Sequence, residues 1–217
     1  MRALPVALLA PSLPEINVMS TLTANHEIGS IALPAPQWDR ANPLLQILAN
    51  RRSAREFSPR PLPPEVLSTL LWAAYGINRP RNGGRTAPSA HDWQEIEVFA
   101  ALGDGTYRYD AEAHALRLKK TGDLRGLTGV QDFVAGAPLD LVYVADFRKM
   151  TDATDEQRTF YAAADAAVIA QNVYLFCACT GLATVVRGLV DRRKLAPALG
   201  LAVHERIVLA QTVGYPA

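Results

Sequence analysis

Residues Arg158–Asp191 read RTFYAAADAAVIAQNVYLFCACTGLATVVRGLVD, and the fold follows from them. From about Phe160 to Thr180 they predict one long helix, rich in Ala, Leu, Val and aromatic residues. Apolar side chains occupy nearly every face, where a surface helix would show a stripe. Such a helix must be covered on all sides. Asp165, Gln171 and Asn172 fall in its middle, which makes it a poor membrane span, because a charge in lipid is expensive. At about 1.5 Å per residue it is roughly 30 Å long, hard for one small chain to surround. A second copy of the chain is the simplest cover. Gly181 is the expected stop, and Thr184-Val185-Val186 reads as a short extended segment ending at Arg187 and Gly188. The helix therefore delivers backbone amides to one defined place, the expected active site.

Around this centre, 217 residues with 49% hydrophobic and 20% charged side chains suit one ordinary globular domain. A net charge of +1 without blocks of like charge argues against a general nucleic-acid binder. Cys177 and Cys179, two apart on the helix, point to opposite sides, so neither a disulfide nor a metal site is expected. Residues 1–41 read as an extended or disordered arm, with Trp38 as a possible anchor. Met1–Pro14 is a weak secretory signal, since Pro5, Pro11 and Pro14 interrupt it and no small-x-small cleavage site follows. The expected location is the cytoplasm.

The folded part runs from 42 to 217. Asn42-Pro43 is a helix start, with Asn as N-cap, and that helix runs from Leu44 to Asn50. Arg51, Arg52, Ser53 and Arg55 gather at its end. On chemistry alone they form either an anion site, since Arg forks match phosphate oxygens, or a solvated basic turn paired to Glu56. A second helix is expected over Pro64–Tyr75, closed by Gly76. Residues 77–92 turn polar and loop-like, and Pro88-Ser89-Ala90 keeps side chains small where a flat ligand could approach. Ser89, His91 and Asp92 suggest a hydrolase only superficially, because no nucleophile elbow surrounds Ser89. Ile96–Ala100, Tyr107–Tyr109 and Ala115–Leu118 alternate as an antiparallel meander. Asp123–Phe133 looks helical but broken by Gly126 and Gly129. Leu139–Ala145 is a central strand, Asp191 caps a helix through Ala198, and Arg206–Val213 is the last strand. The class is α+β, a mostly antiparallel sheet flanked by helices.

Four stretches together resemble the FMN-dependent nitroreductase superfamily: RRSAREF (Arg51–Phe57), RTAPSAHDWQEIEVF (Arg85–Phe99), FVAGAPLDLVYVAD (Phe133–Asp146) and DAAVIAQNVYLFCACTGLATVVRGLVD (Asp165–Asp191). In order and spacing they cover nearly everything from Asn42 to Pro216. The branch most similar includes the azoline-forming dehydrogenases of peptide-modification clusters. The resemblance implies a homodimer with FMN at the subunit boundary. Arg51, Ser53 and Arg55, with Arg52 close by, would hold the phosphate and ribityl side. Pro88, Ser89 and Ala90 would line the ring, Gln131 would reach its pyrimidine edge, and the Val185-Val186-Arg187-Gly188 backbone would pass the other side, with the Arg187 N–H near flavin N5. No catalytic side chain is required, since the cofactor performs the redox step. His91 and Glu95 are candidate substrate-pocket residues.

Two departures from the family pattern stand out. Members often carry a basic residue after the final strand, where this sequence reads Gly214-Tyr215-Pro216-Ala217, and many have proline at Glu95. Glu95 is expected to be either a solvated loop residue or a pocket carboxylate. The implied activity is hydride transfer between NAD(P)H or another donor and a small planar acceptor: a nitroaromatic, a quinone or an azoline-type ring. The alternative is a flavin-binding or partner-binding protein without turnover. Ala170→Glu is expected to abolish dimer and flavin binding together.

Overall fold

The computed structural model describes residues 43–217, all of them within one compact unit, Asp39–Ala217. Asn42, the expected N-cap, and the arm 1–41 with Trp38 lie outside the described residues. The elements follow in the order α1 (Pro43–Asn50), β1 (Phe57–Ser58), α2 (Pro64–Tyr75), β2 (Ile77–Arg79), β3 (Gly84–Arg85), β4 (Ile96–Ala101), β5 (Gly105–Asp110) and β6 (Ala115–Thr121). Then come β7 (Leu139–Asp146), α3 (Asp155–Thr180), β8 (Ala183–Arg187), α4 (Arg192–Leu199) and β9 (Glu205–Pro216).

The sheet runs β1-β9-β7-β4-β5-β6, with β8 also on β9, and every pairing among the described strands is antiparallel. β4–β5–β6 is the expected meander. β7 is buried along its whole length because both faces are covered. Leu139, Leu141, Tyr143 and Ala145 pack in the core layer containing α2 and α3, while Val142 and Val144 pack in the layer containing α4. That alternation is the two-residue period of a strand.

α3 begins earlier than its apolar run suggests. Thr154 accepts from the backbone N–H of Gln157, and the Gln157 side chain accepts from that of Thr154, a capping box legible in Thr154-x-x-Gln157. It ends at Gly181, left-handed at φ 74°, whose N–H bonds Cys177 O. Within the single chain its cover is a stripe rather than a sheath. Ala162, Asp165, Ala166, Ile169, Ala170, Val173, Tyr174 and Cys177 are buried at helical spacing. Opposite them Phe160 is 66% and Val168 38% exposed, with Ala163, Ala164 and Ala167 between. By length and composition α3 could cross a membrane, but its buried stripe belongs to this chain's own sheet and α2. Cys177 is buried, Cys179 is exposed, and both are free.

Gly76 closes α2 as expected, in an extended conformation (φ −73°, ψ 166°), and glycine is required because a Cβ would lie 2.4 Å from Trp72 Cδ1. Two local expectations are corrected. Residues 77–92 hold the β2–β3 hairpin and a 3-10 turn at Ala90–Asp92. Asp123–Phe133 contains only one 3-10 turn, Arg125–Leu127, because side chains elsewhere in the fold dictate its path.

Candidate functional site

The turn after α1 is bolted to the body at two points. Ala54 N–H donates to Thr184 O on β8 (2.9 Å), and Ser53 Oγ lies 2.8 Å from the hydroxyl of Tyr174 on α3. The same hydroxyl accepts from Val186 N–H (3.0 Å). Arg51 stacks its guanidinium 5.4 Å from the Tyr174 ring. Among the described residues no carboxylate pairs with Arg51, Arg52 or Arg55, and Glu56 does not either. Three guanidiniums without a carboxylate partner among the described residues, on a braced turn, fit a polyanionic group such as phosphate, and the expected pairing to Glu56 does not form. Arg51, Arg52, Ala54, Tyr174 and Thr184 line one cavity of about 360 Å³. The Cys177 thiol also borders it, inert because burial pushes its pKa up to about 12. A further cation stands at the end of β9, where Arg60 from the connector after β1 packs 4.4 Å from the Tyr215 ring.

Val185 and Arg187 on β8 are buried, Val186 is partly so, and Gly188 opens onto free space. The Arg187 side chain is 4% exposed and turns inward. It donates to Asp140 Oδ1 on β7 (2.7 Å) and to Thr128 O (2.8 Å) and Oγ1 (3.3 Å). Thr212 Oγ1 donates to the same Asp140 oxygen at 2.5 Å. Burial pushes the Asp140 carboxyl up to about 7 against the pull of Arg187 and Thr212. This ion pair sets the course of 125–131. Gly129 must lack a Cβ, which would sit 1.8 Å from Arg187 Nη1. Gln131 follows, its Oε1 buried without a partner, beside a second cavity of about 360 Å³ that Gly129, Asp191 and Lys194 also line. An orphaned buried acceptor of this kind is suited to a donor edge on a ligand.

Pro88-Ser89-Ala90 rests on a buried acidic cluster. Ala90 N–H donates to Asp165 Oδ2 of α3 (2.8 Å), Ser89 Oγ donates to Glu95 Oε2 (3.3 Å), and Gln94 N–H donates to Ser89 Oγ (2.8 Å). Glu95 is fully buried, with Oε1 unpartnered, as is the hydroxyl of buried Tyr75. Burial, reinforced by the Asp165 carboxylate, pushes Glu95 up to about 7. Burial likewise raises Tyr75. Glu95 is therefore neither solvated nor a wall of any described cavity. A buried carboxylate beneath Ser89 serves the loop's position.

His91, Asp92 and Gln94 hold positive φ (53°, 53° and 48°). For residues other than glycine this costs roughly 1–2 kcal/mol each. His91 is exposed and stacks on Trp93, ring centroids 4.4 Å apart.

Within one chain the arginine turn meets β8 at Thr184 and, through Tyr174, at Val186, while Gln131 follows Gly129 beside Arg187 on the second cavity, which shares no lining residue with the first. The Pro88–Ala90 loop lines neither cavity. It is fixed at Asp165, nine residues from Tyr174 along α3, or roughly 13 Å of helix. Tyr174, Asp165, Asp140 and Thr128 were not singled out from the sequence. Their partners lie far off in the chain, so only the fold reveals them.

Residues 48–215 match the nitroreductase family. A Methanocaldococcus jannaschii protein described as a nitroreductase is 34% identical over 155 residues, 67% of this chain and 78% of its own. A Ralstonia eutropha crystal structure, likewise described as a nitroreductase, is 48% identical, with TM-score 0.78 over 84% of this chain and 88% of its own. The NADPH:FMN oxidoreductase of Vibrio harveyi, solved with NAD+, shares the fold at 21% identity, with TM-score 0.60 over 81% of this chain and 69% of its own. The family match and these relatives place the chain in the nitroreductase family, as an oxidoreductase.

Proposed function

We propose that the chain is an FMN-dependent oxidoreductase that works as a homodimer, passing electrons from NAD(P)H to a small planar acceptor. The observation that carries this reading is the group of three arginines, without a carboxylate partner among the described residues, on a turn joined through Ser53, Ala54 and Tyr174 to β8. When bound, FMN would supply the two-electron redox chemistry. Arg51, Arg52 and Arg55 would neutralise its phosphate, with Ser53 beside them. Gln131 Oε1 would accept from the pyrimidine edge, and the Val185–Gly188 backbone would border the ring. FMN is favoured over FAD because no G-x-G-x-x-G loop is present to cradle a pyrophosphate. Mass spectrometry of the released cofactor checks this, with FAD as the outcome that rejects it. Bleaching of the yellow protein by NADH or NADPH under argon separates turnover from mere flavin binding.

Arg55→Ala is expected to leave the fold intact while weakening FMN by about 1.5–3 kcal/mol, tenfold or more. An unchanged flavin titration would return the cluster to a surface role.

The second subunit is argued from two facts. The exposed apolar stripe Phe160–Val168 needs a cover, and the Pro88–Ala90 loop is not assembled with the arginine turn within one chain. Ala170 is the wrong place to probe this, since it packs on the chain's own sheet and its carbonyl accepts from Gln211 Nε2. Ala167, on the open stripe, is the right one. Ala167→Glu is expected to weaken the dimer about tenfold or more, because it places a charge in an apolar contact. Sedimentation at protein and flavin wavelengths reads both partners. A wild-type monomer holding stoichiometric FMN would reject the intersubunit site.

A further inference from the structure

The strained turn after Ala90 carries aromatic rings that the reading above leaves without a task. We propose that His91, Trp93 and Tyr161 form a stacking platform for the ring of an aromatic electron acceptor, a quinone or nitroarene. This deepens the proposed function and rests on it for the word acceptor.

His91 and Trp93 are stacked with centroids 4.4 Å apart and planes 29° apart. Tyr161 meets both edge-on, at 5.7 and 5.8 Å. Phe160, 5.3 Å from Tyr161, begins the stripe assigned to the subunit contact and lies outside the platform. An exposed imidazole lying on an indole face is an arrangement that a third flat ring can extend or replace.

The backbone supports the same conclusion. Three residues here hold positive φ; Asp92 N–H donates to Ser89 O and Trp93 N–H to Ala90 O, and four further bonds converge on Gln94. Its N–H donates to Ser89 Oγ, its Nε2 to Asp92 Oδ1, and its Oε1 and backbone O accept from Arg85 Nε and Lys149 Nζ. Strain so heavily braced is characteristic of sites that aim side chains, whereas a plain connector between β3 and β4 would relax it. The position is specific too. His91 directly follows the proposed flavin-facing loop, and Tyr161 lies one turn before Asp165, the residue that anchors Ala90. Wall and platform therefore share one support on α3.

The test uses FMN-loaded protein, with 2-naphthoate as a ring that cannot be reduced and menadione as the acceptor. Trp93→Leu is expected to raise both the calorimetric Kd for 2-naphthoate and the KM for menadione by about tenfold. Trp93→Phe, which keeps a ring and guards against a folding defect, should stay within about threefold of wild type. Equal 2-naphthoate affinity in wild type and Trp93→Leu overturns the platform, as does a Trp93→Phe as weak as Trp93→Leu. Dissociation of the dimer in Trp93→Leu also overturns it, because the rings would then be a subunit contact. A wild type that binds 2-naphthoate with the expected Trp93 dependence yet never reduces menadione supports the platform and rejects the oxidoreductase assignment of the site.

Discussion

Arg187→Met is expected to destabilise the folded chain by about 3–5 kcal/mol, the range for removing one member of a buried ion pair. Asp140 would lose the guanidinium that holds its pKa down, leaving a fully enclosed acid that must carry an unpaired charge or take up a proton. Thr212 would remain as its one donor, and Thr128 O would lose its partner. Thr128–Gln131 takes its path from Arg187, so flavin affinity should fall alongside stability. Urea unfolding of wild type and variant at pH 7 measures the first effect, and flavin titration the second. The double variant Asp140→Leu with Arg187→Met removes both groups and should recover most of the lost stability, because the penalty is for a buried acid left without its partner. A single variant within about 1 kcal/mol of wild type would show that the ion pair carries little weight.

Glu95→Gln should act in the opposite sense, and only above a certain pH. The folded-state pKa of Glu95 is about 7, against an ordinary 4.5. Between those values the folded chain binds more protons at this site than the unfolded chain. Stability therefore falls as pH rises through that window and levels off above it. At about 1.4 kcal/mol per pH unit the wild type loses on the order of 2–3 kcal/mol. Glutamine resembles the protonated acid and does not titrate. The variant should match wild type near pH 5 and exceed it by that amount near pH 8. The groups facing Glu95 are the Asp165 carboxylate, the Ser89 hydroxyl and the Tyr75 phenol, with the Arg85 guanidinium 4.9 Å from the Tyr75 ring. Unfolding at fixed, saturating FMN across pH 5–8 reads the difference. Parallel profiles for the two proteins would mean that Glu95 is ionised and accommodated throughout.

What the sequence made legible was local in origin. α2, α3, β7 and the meander each announce themselves by a period of 3.6 or 2 within their own residues. β1 could not be found that way. It is two residues long, and it exists because Tyr215 and Pro216 arrive beside Phe57 and Ser58 from the far end of the chain. The path of 123–133 was misjudged for a related reason. Its glycines looked like breaks in a helix, whereas Gly129 is fixed by an arginine 58 residues later. The site divides along the same line. The arginine turn and the small-residue loop are compositional signals. Tyr174, by contrast, acquires its role through Ser53, 121 positions away. Glu95 shows the sharpest contrast: a carboxylate in a polar loop predicts solvent, and only the fold supplies Ser89, Tyr75 and Asp165 around it.

The Tyr174 hydroxyl has a polarity as well as a position. A backbone N–H can only donate, so the bond from Val186 fixes the phenol oxygen as its acceptor. Ser53 Oγ, 2.8 Å away, can take the phenol's own hydrogen, and the paired arrangement is the one in which it does. With one lone pair engaged in this way, the Ser53 hydroxyl keeps its hydrogen to give away. A chain of two bonds then runs one way, from the amide of β8 through the phenol to the serine. At its outer end it offers a hydrogen rather than a lone pair, in the midst of three guanidiniums, a direction that favours anions and disfavours cations at the same spot.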